Sequence, residues 1–162
     1  MQEPKRIAEY MKHNALMLVT AESCTAGLIA ARLAEVAGAG ELLECAYVVY
    51  SPAAKQRCLD VKAQTIERYN LTSEAVAREM ALGAISRSDA NLAVSNTGVT
   101  DATDPNIPPG TQCFAWVFRR RDGGLEVRSE THRFEGTRNQ IREAAADFAL
   151  RRIPELHREG IA

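Results

Sequence analysis

The sequence predicts an α/β protein: a three-layer α/β/α sandwich around a mixed, mostly parallel sheet of about five strands. Three observations carry that expectation. Short apolar or β-branched runs alternate with helical patterns between residues 3 and 98. Two further strand-like runs flank Asp122-Gly123-Gly124, a hairpin signal. A final helical stretch then opens on Thr137-x-x-Gln140, the spacing of a capping box.

Residues 3–14 place Ile7, Tyr10 and Met11 at i, i+3, i+4 and read as a helix. Ala15 to Thr20 is a short apolar run, the pattern of a strand buried on both faces. Residues 25–36 are rich in Ala and Leu and predict a helix ending before Gly38 and Gly40. Leu43 to Tyr50 closes on Tyr-Val-Val-Tyr, hence a second strand, and a short helix is expected over 53–59. Thr72 or Ser73 can cap a helix to Ser88 whose face carries Val76, Met80 and Ile85. Leu92 to Ser95 begins a third strand, followed by a loop over 98–110. Cys113 to Arg119 and Leu125 to Phe134 form the expected hairpin. The last helix starts near 138, and Pro154 is expected to bend or end it, with a frayed tail beyond. Helical crossovers between the first three strands make them parallel, and the hairpin adds an antiparallel strand.

The length of 162 residues suits one domain, and 1–162 is expected to be a single unit. Basic and acidic side chains number 20 and 21, so no net field draws the chain to nucleic acid or an anionic membrane. No apolar run approaches the ~18 residues of a membrane span. Met-Gln-Glu-Pro-Lys-Arg-Ile at the start lacks a following apolar segment, so no secretory leader and a cytoplasmic location are expected. Cys24, Cys45, Cys58 and Cys113 form no C-x-x-C pair and read as reduced thiols. His13, His132 and His157 stand apart from other ligating residues, so neither a metal nor a cofactor is implied. Arg119-Arg120-Arg121 lacks interleaved aromatics and reads as a solvated hairpin tip. Arg151, Arg152 and Arg158 alternate with Glu155 and Glu159, as on an exposed, salt-bridged helix face.

The topology directs attention to the carboxyl ends of the parallel strands, where open α/β sheets bind ligands. Three polar clusters fall there: Glu22-Ser23-Cys24-Thr25, Tyr50-Ser51-Pro52-Ala53-Ala54-Lys55, and Asn96-Thr97-Gly98. Ser23 lies where a strand turns into a helix, and free N–H groups of a first helical turn can hold an anion or an oxyanion. A serine there is a helix cap or a nucleophile. Cys24 is the rival nucleophile, or a small buried residue beneath the turn. No Ser-His-Asp set or G-x-S-x-G motif is present, and His132 reads as a surface imidazole. Lys55 is therefore either an exposed helix lysine or, if burial lowers its pKa, a base for Ser23.

The run Thr20-Ala21-Glu22-Ser23-Cys24-Thr25-Ala26-Gly27-Leu28-Ile29-Ala30 closely resembles the T-A-E-S-C-T-G-G-L-I-A signature of the CinA carboxy-terminal domain family. Tyr47 to Lys55 resembles that family's V-V-x-Y-S-N-x-x-K. Ser73 to Ala77, Thr97-Gly98, Gly110-Thr111 and Phe134-x-Gly136-x-Arg138-x-x-x-Arg142 follow it as well, so the resemblance spans nearly the whole chain. It implies a stand-alone, three-layer, homodimeric enzyme that deamidates nicotinamide mononucleotide to nicotinic acid mononucleotide and ammonia without a metal. Carried across, Ser23 is the nucleophile and Lys55 its base. Glu22, Cys24, Thr25, Tyr50, Thr97 and Gly98 would line the pocket, and Arg142 would lie near substrate phosphate or the active site. Backbone N–H groups of Cys24 and Thr25 would hold the oxyanion.

This sequence departs from the family pattern at three places. Ala26 stands for a glycine, Pro52 for an asparagine, and Thr97 to Gly110 replaces T-G-I/V-A-G-P-x-G-G. Asp101 and Asp104 in that loop would repel a phosphate unless they face solvent. The alternative reading is therefore a non-catalytic or substrate-shifted relative that binds a nucleotide or a protein partner.

Overall fold

The computed structural model describes residues 2–160. Its elements in order are α1 (Gln2–His13), β1 (Leu18–Glu22), α2 (Leu28–Ala34), a 3-10 turn (Ala39–Glu41), β2 (Leu43–Val48), α3 (Pro52–Leu59), α4 (Ala63–Tyr69), α5 (Glu74–Ser86), β3 (Leu92–Gly98), β4 (Thr111–Arg119), β5 (Leu125–Arg133) and α6 (Arg138–Gly160). The five strands form one sheet in the order β2-β1-β3-β4-β5. β1 pairs in parallel with both β2 and β3, while β4 runs antiparallel to its neighbours β3 and β5. Four strands thus share a direction and β4 opposes them, the mixed, mostly parallel sheet that the sequence predicts. Because β2 and β3 flank β1 on opposite sides, the connections leaving β1 and β2 diverge and open a crevice at the carboxyl end of β1.

Side-chain alternation along the strands builds a core on each face. Leu18, Leu92, Val94, Phe114, Trp116 and Phe118 pack against Ile7 and Met11 of α1, Ile29 and Leu33 of α2, and Phe148 and Ile153 of α6. Val19, Ala21, Ala93, Ala115 and Val117 pack against α3 and α5 through Leu59, Val76, Met80 and Ile85. The Trp116 indole, fully buried, donates to the Ala149 carbonyl at 2.9 Å. None of the helices is long and apolar enough to cross a membrane among the described residues.

Two local expectations are corrected and one helix is added. The helix after β1 starts at Leu28, not near residue 25, because Ala26 and Gly27 take left-handed φ angles of 49° and 97°. α4 was not legible as a helix. No residue of it is fully buried, and its start is held from a distance by Glu79, which accepts from the Lys62 N–H at 2.8 Å and the Thr65 hydroxyl at 2.6 Å. Pro154 does not end α6, which continues to Gly160. Ile153, Leu156 and His157 are buried around the proline, and the Tyr10 hydroxyl lies 2.7 Å from His157 Nδ1, so tertiary contacts offset the lost backbone bond. The expected capping box is formed: the Thr137 N–H donates to Gln140 Oε1 at 2.9 Å and the Gln140 N–H to Thr137 Oγ1 at 3.3 Å.

One close contact sets the spacing of α3 against α5. A Cβ on Gly83 would lie 2.0 Å from the carbonyl oxygen of Leu59. Replacing Gly83 by Ala must therefore separate the two helices, one of which carries Lys55. We expect Gly83→Ala to lower stability by about 1–3 kcal/mol, measured as the shift of a urea unfolding curve with an unchanged slope.

Candidate active site

The turn after β1 is built around a buried carboxylate. Glu22 ends the strand, is fully buried, and faces the same side of the sheet as Leu18 and Thr20. Its Oε1 accepts from the Thr25 hydroxyl (2.7 Å), the Gly27 N–H (3.0 Å) and the Ile29 N–H (2.9 Å), and its Oε2 from the Ala30 N–H (3.1 Å). Glu22 thus caps α2 with charge-assisted bonds at the positive end of the helix. The first-turn N–H groups are consumed by it and do not form an anion site. Glu22 shapes the turn and presents no atom to a substrate.

Residues 23–27 between strand and helix form a tight loop. The Ser23 N–H donates to the Asn96 carbonyl, the Ala26 N–H to the Ser23 carbonyl, and the Leu28 N–H to the Thr25 carbonyl, each at 3.0 Å. Ala26 holds its left-handed conformation without the freedom of the glycine expected there, at a cost of roughly 1–2 kcal/mol. The methyl sits in the turn and not in a helix.

Ser23 does not cap the helix, since Glu22 does. Its Oγ lies 2.9 Å from Lys55 Nζ. Lys55 sits in the first turn of α3, which Ser51 caps by accepting from the Ala54 N–H and which Pro52 opens at its first position. The lysine is 1% exposed, and Nζ also reaches the Val49 and Tyr50 carbonyls at 3.0 Å each. Burial pulls its pKa down to about 8, because the ammonium loses its water. A neutral amine has two N–H donors and one lone pair. The two carbonyls take the donors, which leaves the lone pair for the Ser23 hydroxyl proton. Ser23 is 8% exposed and Lys55 1%, so both are buried and the serine lies nearer to solvent.

Cys24 turns the other way. Its Sγ accepts from Gln112 Nε2 at 3.4 Å, and burial pushes the thiol pKa up. It is packed beneath the turn as a neutral thiol, which leaves Ser23 as the residue facing Lys55. The Thr25 N–H is taken by Asn96 Oδ1 at 3.1 Å, so it is closed to an oxyanion. The Cys24 N–H meets no acceptor among the described residues and is the open donor beside Ser23. The Thr25 side chain is fully buried on Glu22 and lines no pocket.

The remaining expected pocket residues divide. The Tyr50 ring is 55% exposed at the mouth and its hydroxyl accepts from Arg138 Nη2 at 3.1 Å. Thr97 is buried and donates to the Leu71 carbonyl at 3.0 Å. Gly98 is there for space, since a Cβ would lie 2.2 Å from Gln112 Oε1. Arg142 lies at the candidate site, one of the two places expected for it. Its Nε donates to the Cys24 carbonyl at 2.9 Å and its Nη2 to the Thr25 carbonyl at 3.4 Å, so it braces the turn. Arg138, one helical turn earlier in the same motif, carries its guanidinium to the mouth instead, reaching Thr100 Oγ1 at 2.7 Å and Asp101 Oδ2 at 3.3 Å.

Residues 2–157 match the family model described as the CinA C-terminal domain. The chain belongs to the CinA C-terminal domain family. A CinA-like protein of Chlorobium limicola is 37% identical over 147 residues, which cover 90% of this chain and 34% of that protein. The chain therefore spans about a third of the length of the curated relatives it matches. Among solved structures, a competence-damaged protein (CinA) superfamily protein from Klebsiella pneumoniae 700603 superposes with a TM-score of 0.89 at 30% identity, covering 98% of this chain and 97% of that one. A competence/damage inducible protein from Agrobacterium tumefaciens gives 0.86 at 32% identity, covering 96% and 94%.

Within this CinA domain, sequence reasoning missed a buried amide pair. Asn96 Nδ2 donates to Gln112 Oε1 at 2.8 Å, and Gln112 Nε2 donates to the Val99 carbonyl at 3.1 Å. Together they link the Ser23 turn to the 98–110 loop. Both are polar residues on the inward face of strands that are otherwise apolar, and that was the signal available.

Two outcomes follow from this geometry. Glu22→Gln puts an amide N–H among backbone donors and should cost about 2–4 kcal/mol of stability, read from urea unfolding. For Lys55, the unfolded chain binds its proton up to the ordinary 10.5 while the folded chain releases it near 8, so stability rises with pH between those values. The stability difference between wild type and Lys55→Met should be flat below pH 8 and rise by on the order of 3 kcal/mol toward pH 10.5; a flat difference across that window would contradict a depressed Lys55.

Proposed function

We propose that this chain is an amidohydrolase that deamidates nicotinamide mononucleotide through a Ser23-Lys55 acyl-enzyme. The observation that carries the reading is the 2.9 Å contact between Ser23 Oγ and a lysine amine that is 1% exposed. A chain that only bound a ligand would gain nothing from burying an amine against a serine hydroxyl, because burial of an ionisable group opposes folding.

In the reaction, neutral Lys55 takes the Ser23 proton as Oγ attacks the carboxamide carbon. The oxyanion forms beside the Cys24 N–H, the open donor of the turn. The Lys55 ammonium then passes its proton to the leaving nitrogen, ammonia departs, and the mononucleotide remains on Ser23 as an ester of its carboxyl carbon. A water, losing a proton to Lys55, attacks the ester carbon; Lys55 hands that proton to Ser23 Oγ as the ester bond breaks and nicotinic acid mononucleotide leaves. The Tyr50 ring offers a face to the cationic pyridinium. Arg138 is the half-exposed cation at the mouth that can meet the phosphate, one of the two parts that the resemblance implied for Arg142. The homodimer implied by the family resemblance belongs to the same proposal.

The test is ammonia release from nicotinamide mononucleotide by wild type, Ser23→Ala and Lys55→Ala, all checked for folding by circular dichroism. Each variant should lose at least about a thousandfold in kcat, and the wild-type rate should climb with pH through about 8 as Lys55 loses its proton. Undiminished release by folded Ser23→Ala would overturn the mechanism.

A further inference from the structure

The guanidinium of Arg138 ties three segments together over the Ser23 turn. It reaches Tyr50 Oη after β2, Thr100 Oγ1 and Asp101 Oδ2 after β3, and it starts α6 itself. Of the cations around the turn, Lys55 is buried against Ser23 and Arg142 is committed to two backbone carbonyls. Arg138 is the one left facing solvent, at 53% exposure. An anionic group on a substrate in this crevice must meet it, and there it finds Asp101 already 3.3 Å away.

Resting on the amidohydrolase reading above, we propose that Asp101 is a specificity-determining residue: an internal counter-anion that competes with substrate phosphate for Arg138 and lets the site accept phosphate-free nicotinamide nucleosides. Asp101 is 64% exposed and is held otherwise by the Thr100 hydroxyl at 3.2 Å, so it can be pushed into solvent. An exposed ion pair of this kind is weak and displaceable. It tunes phosphate affinity and does not block the site. Asp104, the other acid of the loop, plays no such part. Its carboxylate accepts from Asn70 Nδ2 at 2.7 Å and the Asn106 N–H at 2.8 Å, so it closes its own turn. A phosphate that displaces Asp101 takes over its contact with Arg138 Nη1 but retains the repulsion of a carboxylate a few ångströms off. A substrate without a phosphate leaves the Arg138-Asp101 pair intact.

The experiment titrates nicotinamide mononucleotide and nicotinamide riboside onto Ser23→Ala protein, with and without Asp101→Asn, by calorimetry. Asparagine keeps the size and the acceptor oxygen while removing the charge. The mononucleotide should bind about three- to tenfold tighter to the Asp101→Asn protein, the gain shrinking at high salt, with riboside affinity unchanged. Asp101→Ser should reproduce the effect. Equal or weaker mononucleotide binding, or an equal shift for both ligands, overturns the proposal. Steady-state kinetics on the Ser23-containing enzyme separates this from the parent reading. If neither compound is hydrolysed the amidohydrolase fails, while the binding ratio still decides the role of Asp101.

Discussion

The carboxylate of Glu22 is the interaction on which the rest of this site depends. A charge buried at the end of a central strand is tolerated because every donor around it is aimed inward: one hydroxyl and three backbone N–H groups. Those bonds fix the path from β1 into α2 and force the residues between them into a loop tight enough to need two left-handed conformations. That loop holds Ser23 against Lys55. Arg142 grips the same loop from outside through two carbonyls, so the turn is clamped between an anion beneath and a cation above.

Lys55 approaches from the other flank of β1 and is bound by a different logic. Its amine is positioned by carbonyls of the strand-to-helix connection that precedes it in the chain, so α3, its cap and its proline all serve to hold one nitrogen. The carbonyls favour an ammonium and the burial favours an amine. The outcome is a group whose proton is loosely held near neutral pH, the condition a general base needs.

The sheet was legible because the runs of β1 and β3 are short, apolar, buried and separated from β2 by helical crossovers, and because a Gly-Gly turn joins β4 to β5, while the edge strands β2 and β5 are only half-buried. The Ser23-Lys55 contact was legible through the resemblance to the CinA signature, supported by the rule that ligands gather at carboxyl ends of strands. What was not legible depended on tertiary partners. α4 has little apolar face of its own and is secured by Glu79 from α5. Pro154 breaks a local rule that the packing of Ile153 and Leu156 overrides. Glu22, Thr25 and Arg142 carry polar groups of the kind that touch substrates, yet each spends them inside the turn, Thr25 on the Glu22 carboxylate and the other two on backbone groups. The chemical type of such a residue can be read from the chain but not the direction in which it points. Arg138 and Arg142 lie one helical turn apart, and one reaches the mouth while the other grips the turn.

The 98–110 loop is pinched at its base. The Val99 N–H donates to the Thr111 carbonyl, the Gly110 N–H returns to the Val99 carbonyl, and Gln112 fastens Val99 from within. Everything that differs from the family's glycine-rich pattern beyond Val99 lies outside this clasp. The segment from Thr100 to Pro109 is therefore a cassette with fixed ends, held further by side chains, through Arg138 at the mouth and Asn70 after α4. Mutation can rewrite its charge and length while the Ser23 turn stays in register, so relatives built on one scaffold can diverge at the mouth without disturbing the strand ends.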